Sequence, residues 1–276
     1  YQSTDKALLI HTLFMGHLRA TKYLPMTLSH NQFVRGMQII NHLLALAGLA
    51  WVVDTGSWTW LAVSLAVYVP LCMLGVNIGY HRLISHRSFE TAGWIERTLA
   101  VIGCLSVIGS PMAWTAVHRQ HHRAAETERD PHSPYQLGPF RAWVGFWNYA
   151  ILDLKLVRDL RRSEYYKALH TYYVEIILGY ILVLALINPW LVVFVYAIPA
   201  CLSLFTTSAV IVIAHYHGYR TYDIGRDQAR NSWITHILSL GEGWHNNHHA
   251  HPYKWCQGEK WWEFDPPSWV IRLIKR

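Results

Sequence analysis

The sequence predicts an all-α integral membrane protein, with four transmembrane helices in two hairpins and a histidine-rich helical cap on the cytoplasmic face. Three observations lead there. Of 276 residues, 52% are hydrophobic and only 15% are charged. Two long stretches, from Arg35 to Arg82 and from Lys167 to Arg220, contain no Lys or Arg between their ends. Histidine, 18 residues in all, is concentrated beside the ends of apolar segments.

The elements follow in chain order. The N-terminal segment Tyr1–Phe33 is polar, basic and broken by Pro25, so no cleavable signal peptide is expected in it. One helical crossing takes roughly 20 apolar residues, so each Lys/Arg-free stretch has room for two. The first breaks at Asp54-Thr55-Gly56-Ser57 and the second at Asn188-Pro189, both turn-forming sequences. The crossings are therefore expected near 36–53, 57–80, 172–187 and 190–214. Between the hairpins, the apolar run Leu99–Pro111 is too short to span and carries Gly103 and Gly109. A helix lying at the membrane interface suits it better. Since every Lys and Arg lies outside the two stretches, the positive-inside rule puts the hairpin loops away from the cytoplasm. Segments 1–35, 81–171 and 215–276 then face it. Trp51, Trp58, Trp60 and Trp190 fall near helix ends, as in an interfacial aromatic belt. With no repeat, linker or low-complexity tract, a single domain over 1–276 is expected.

Composition also excludes. Cys72, Cys104, Cys201 and Cys256 are scattered, which argues against a disulfide scaffold or a zinc finger. The net charge of +7 is spread over membrane-flanking segments with no nucleic-acid motif, so no nucleic-acid partner is expected. The run Lys155, Arg158, Arg161, Arg162, Lys167 suits anionic lipid headgroups or an acidic partner protein.

Nine histidines form a pattern: His81 and His86; His118, His121 and His122; His215 alone; and His245, His248 and His249. On a helix, positions i, i+3 and i+4 share a face, so each triplet is expected to aim its rings at one point. His81 and His86, about 140° apart on an ideal helix, should straddle a site or serve different ions. Neutral imidazole binds divalent iron, copper, zinc and nickel. This many imidazoles exceed what one ion holds, which points to two. His11, His17, His30, His42 and His170 read as ordinary, although His42 lies within the first crossing and needs a polar partner. His132, His217, His236 and His251 are neighbours of the boxes. Asp130 and Glu242 are the candidate carboxylates for orienting imidazoles.

The boxes HRLISH, HRQHH and GEGWHNNHHAHP resemble those of membrane-bound fatty acid desaturases, the histidine-box di-iron family, in its delta-9 branch. The likeness extends to Gly79-Tyr80 before the first box, Arg87-Ser88-Phe89 after it, and Glu126 and Asp130-Pro131-His132 after the second. It implies that the nine histidines hold two iron ions. It also implies that O2 and two electrons from a separate ferredoxin or cytochrome b5 serve to insert a cis double bond into a saturated acyl chain. There are two departures from relatives that act on acyl-CoA. Ile211 stands where an Asn holds an iron-bound water, and Ala116-Val117 replace an Arg-Asp pair that grips the CoA head. An acyl-lipid substrate is therefore expected over an acyl thioester. The alternatives are a hydroxylase or alkane monooxygenase of the same family, or a histidine-based membrane metal transporter.

Overall fold

A computed structural model describes residues 28–145 and 153–276, with side chains from residue 33 onward. Expectations for Pro25, His11, His17 and most of segment 1–35 lie outside the described residues, as does the side chain of His30. Among the described residues the chain is helical, and the only β pairing is isolated bridges.

Helix α1 runs Leu28–Thr55 and α2 begins at Thr59, with Gly56 (φ +69°) turning the chain between them. Helix α2 continues unbroken through Pro70 to Ser85. Helix α3 is Gly93–Leu105 and α4 is Pro111–Ala124. Helix α5 (Glu164–Thr171) bends by 64° into α6 (Tyr173–Ile187). Helix α7 spans Pro189–Tyr216, and its start is capped by the Asn188 side chain, which accepts from the Trp190 N–H. Three short helices follow: α8 (Trp233–Leu238), α9 (His245–Ala250) and α10 (Pro266–Ile274).

Among the described residues, three helices are long and apolar enough to cross a membrane, at Phe33–Thr55, Thr59–Ser85 and Pro189–Tyr216, or four if the bent α5–α6 pair is one span. The expected third crossing, 172–187, differs from the others. By itself α6 has 15 residues, which rise about 22 Å against a hydrocarbon core of about 30 Å. It reaches spanning length only together with α5. The outward faces are apolar, with Leu43 and Leu46 of α1 and Leu186 and Ile187 of α6 exposed. Trp51 stacks on Trp190 and Trp60 on Phe194, which ties the end of α1 and the start of α2 to the start of α7.

Two boundaries move, and both matter. The second crossing does not stop before the first histidine box, because α2 carries His81 within its own length. The fourth does not stop before His215, which lies in the last turn of α7. From Leu71 to Ser85, α2 winds as a π-helix, so the His86 N–H donates to the His81 carbonyl five residues back at 3.1 Å. That winding replaces the 140° separation of an ideal helix and leaves, of the two expected outcomes, a shared site. Bonding to the fifth residue instead of the fourth widens the turn, so residues five apart come onto one side. Their ring centroids lie 5.0 Å apart.

The run Leu99–Pro111 is the second half of α3 and the turn into α4. Helix α3 packs closely on the π-helical half of α2, and glycines make that contact possible. A Cβ on Gly75 would lie 2.7 Å from the Gly103 nitrogen, and one on Gly103 would lie 2.2 Å from the Tyr80 ring. The far end of α2 is held by Arg119 of α4. Its guanidinium donates to the carbonyls of Ile84 (2.9 Å) and Ser85 (2.7 Å), which have no acceptor role within the helix, and pairs with Asp159. His42 finds its partner within α1, with Nδ1 2.6 Å from the Gln38 carbonyl.

Candidate metal centre

Four elements deliver the nine imidazoles. The end of α2 presents His81 and His86, α4 presents the second box, the last turn of α7 presents His215, and α9 presents the third. Local sequence explains each placement. Helix α4 starts with Ser110 accepting from the Ala113 N–H and Pro111 in the first turn, a strong N-terminal signal. Helix α9 is too short to hold itself, and the asparagines between its histidines anchor it. The Asn231 side chain accepts from the Asn246 and Asn247 N–H groups (3.0 and 3.2 Å) and donates to the Asn247 Oδ1 (2.7 Å). Asn246 binds the backbone of Thr221, Tyr222 and Ala229, while Asn247 donates to Glu263.

The rings form two groups, each with ligand atoms within 4.8 Å of one another. One holds His81, His86, His118, His122 and His248, and the other His121, His215, His245 and His249. Neither triplet aims at a single point. In each box the i, i+4 pair stays together (His118 with His122, His245 with His249), while the i+3 member crosses to the other group. Both i+3 and i+4 lie on the same broad face, but on either side of the first residue. A box at the border between two sites therefore feeds both.

Carboxylates orient the rings. Nδ1 of His81 meets Glu242 at 2.7 Å, and that of His121 meets Asp130 at 2.8 Å. Two partners to which the sequence assigned no ring-orienting role complete the set: Glu126, part of the likeness after the second box, on His215 Nδ1, and Asp227 on His249 Nδ1, both at 2.6 Å. Glu126 is fixed in turn by Ser133. No local spacing marks Glu126 or Asp227, because both contacts form between distant segments. Glu242 is locked by the buried Arg82, whose guanidinium also bonds Asp265 at 2.7 Å, and by Gln257 at 2.8 Å.

The electrostatics follow from burial. Burial holds His86, His118, His122, His245 and His248 well below the ordinary histidine value, and the neighbouring imidazoles add to the effect. Burial likewise lowers His249 to about 4, although Asp227 opposes it. For His121 burial is outweighed by Asp130, and the value is raised. Burial favours the neutral form of Asp130, Asp227 and Glu242, yet their histidine partners, and Arg82 for Glu242, keep all three below the usual carboxylate range.

The donor set fits cations. A neutral imidazole has one N–H. His81 gives its hydrogen to Glu242, so its Nε2 carries a lone pair. Yet that Nε2 lies 2.9 Å from the Nε2 of His248, which also lies 3.0 Å from that of His122. A single hydrogen on His248 cannot serve both neighbours, whereas a central cation accepts every lone pair. In the second group, the Nε2 of His249 is buried with no hydrogen-bond partner. Iron is among the divalent ions that imidazole suits.

Of the neighbouring histidines, His132 reaches the centre. Its ring centroid lies 4.3 Å from that of His121, and it groups with His121 and Asp130. His236 stacks on Trp244 instead, and His217 and His251 stand outside both groups. A cavity of about 60 Å³ abuts the rings of both groups. Cys72, Val76, Asn77 and His81 of α2 and Thr206, Val210 and Ile211 of α7 wall it, with Trp114 stacked on His118. Ala116 and Val117 are buried, and Val117 joins Ile211 in an apolar cluster.

A family profile for fatty acid desaturases matches residues 58–266. Over 79% of this chain and 80% of the relative, it is 36% identical to an sn-2 palmitoyl-lipid 9-desaturase of Nostoc sp. (strain 36). It is 34% identical to an sn-1 stearoyl-lipid 9-desaturase of Anabaena variabilis, covering 82% and 84% of the two chains. An acyl-CoA 5-desaturase of Anemone leveillei is 31% identical over 80% and 70%.

Proposed function

The chain belongs to the fatty acid desaturase family, and from that premise we propose that it inserts a cis double bond, at the delta-9 position, into the saturated acyl chain of a membrane lipid. The observation that carries the reading is the pair of buried imidazole groups, five and four, flanked by an apolar cavity reaching both. His81, His86, His118, His122 and His248 would hold one iron ion, and His121, His215, His245 and His249 a second. Asp130 and Glu242, with Glu126 and Asp227, orient the rings. When bound, the irons supply the oxidising power that no side-chain acid or base has toward an unactivated methylene.

The rest is work for the chain's own residues. Glu242, Asp130, Glu126 and Asp227 take the Nδ1 hydrogens, which leaves the opposite nitrogens as lone pairs and fixes each ring plane. Val76, Val210, Ile211 and Trp114 shape the cavity. It is far below the several hundred Å³ of a typical ligand site, so it admits only a short stretch of chain beside the imidazoles. Positioning of that stretch selects the bond. The overall change balances: two adjacent methylenes lose two hydrogens, and O2 with two electrons and two protons becomes two waters.

The membrane arrangement belongs to the same reading. Four crossings, with the bent α5–α6 pair as the third, form two hairpins, and the histidine cap and both termini face the cytoplasm. The one-sided basic residues support that orientation. A separate ferredoxin or cytochrome b5 supplies the electrons. The test is gas chromatography of products from the purified protein supplied with iron, O2 and a reduced donor, with saturated acyl-lipid and acyl-CoA in separate reactions. Delta-9 unsaturated acyl-lipid is expected. Hydroxylated product without a new double bond would shift the assignment to a monooxygenase, and metal flux without oxygen consumption to a transporter.

A further inference from the structure

A second cavity meets the histidines from outside. It is a polar cleft of about 660 Å³ lined by Arg123, Arg129, Arg226, Asp153 and Asp227 together with His122 and His249. No residue lining it lines the apolar cavity. The two histidines come from different groups, one from the five and one from the four, and their rings stack with centroids 4.2 Å apart at 27°. The His249 ring itself is covered, with Asp227 between it and the cleft. At the rim, Arg123 pairs with Asp153 at 3.2 Å on an exposed surface. Arg129 and Arg226 are exposed and, among the described residues, have no carboxylate partner.

We propose that this cleft seats an acidic one-electron carrier protein, which passes electrons toward both imidazole groups by way of the stacked pair His122 and His249. The inference rests on the desaturase reading, which requires two electrons per double bond. Each carrier gives one electron and leaves oxidised, so two carriers serve one turnover, and water supplies the two protons consumed with O2. The placement is physically economical. The apolar cavity keeps one side of the centre for the acyl chain, and among the described residues the rings at the polar cleft belong one to each group. The unpaired arginines attract an acidic surface and set the approach rate, an effect that salt weakens. The sequence pointed to the run Lys155, Arg158, Arg161, Arg162, Lys167 for anionic lipid headgroups or an acidic partner, and none of these residues lines the cleft.

The experiment uses the iron-loaded protein in lipid nanodiscs, with plant-type ferredoxin and cytochrome b5 as probes. Two quantities are read: the Kd of the oxidised carrier by titration at low and physiological ionic strength, and the carrier KM in product formation. Arg129→Glu with Arg226→Glu should raise Kd and KM by about tenfold or more, about 1.4 kcal/mol per decade, and flatten the salt dependence, with bound iron unchanged. The rival face is tested by Arg161→Glu with Arg162→Glu, which should move neither. Unchanged carrier affinity in the cleft variant, or a rise confined to the rival variant, would overturn the proposal. If both carriers bind and iron is retained but no unsaturated product forms, the desaturase reading fails, while the Kd measurements still decide the docking site.

Discussion

Replacing Glu242 with glutamine tests whether a carboxylate controls the five-imidazole group. Glu242 is 5% exposed and makes four hydrogen bonds. Oε2 accepts from His81 Nδ1 at 2.7 Å and Gln257 at 2.8 Å, and Oε1 accepts from Arg82 at 3.0 and 3.2 Å. All four partners are donors. A glutamine amide has one accepting oxygen, so its NH2 must face either Arg82 or His81. If it faces His81, the imidazole hydrogen moves to Nε2 and the lone pair needed by a metal is lost. If it faces Arg82, a buried guanidinium keeps only Asp265 as a charged partner. Loss of a partner that orients a metal-binding histidine lowers metal affinity by roughly 10–100-fold. Breaking a buried ion pair costs about 3–5 kcal/mol. The control is Asp265→Asn, which touches Arg82 but no imidazole. Iron affinity is measured by competition with a chelator, and stability by thermal unfolding of the metal-free protein. Glu242→Gln should lose both, whereas Asp265→Asn should lose stability alone. Wild-type iron affinity in Glu242→Gln would refute the assignment of Glu242 as the group that orients His81.

Other outcomes follow from packing and protonation. Gly103→Val places a Cβ 2.2 Å from the buried Tyr80 ring, so thermal unfolding should show a loss of at least 1–3 kcal/mol, the usual cost of overpacking; an unchanged transition would mean that α2 and α3 are not in this contact. His236 is buried against Trp244 with neither ring nitrogen hydrogen-bonded, and burial lowers it to about 4. His236→Phe should therefore be neutral or stabilising near pH 7 and more stabilising toward pH 5, with a marked loss at pH 7 counting against it. Acid should weaken the metal-free protein generally. His86, His118, His122, His245, His248 and His249 bind protons more readily unfolded than folded, so stability falls as pH drops below about 6.5. Asp130, Asp227 and Glu242, depressed when folded, steepen the loss below about 4. Melting temperatures that hold constant from pH 7 to 4 would contradict the first trend, and a slope no steeper from pH 4 to 2 than above 4 would contradict the second.

Much of the site was legible before folding was considered, because an excess of histidine beside apolar segments has few uses. Asp130 and Glu242 were also recoverable, since each lies close in sequence to a box. Glu126 also lies close to the second box, but its role was hidden, as was Asp227 altogether. They pair with His215 and His249 at separations of 89 and 22 residues, and no local pattern carries such a contact. The asparagines of the third box hold α9 in place through Asn231, a contact that no local pattern carries. Hydropathy marks the apolar segment of the third crossing but not the bend at Tyr172 that joins α5 to α6, because it measures composition.

Apolar run lengths and the absence of Lys and Arg from two stretches specify, by themselves, helices long enough for a bilayer, since solvation of the backbone and charges is a local matter. Histidine spacing specifies that several imidazoles share helix faces. Which rings meet is a different question, and only the tertiary structure answers it. The π-helical winding of α2 unites His81 with His86, and each triplet divides between two groups because its helix lies along their border. Those outcomes depend on helix register and on the close approach at Gly75 and Gly103, which are settled by packing between segments far apart in the chain.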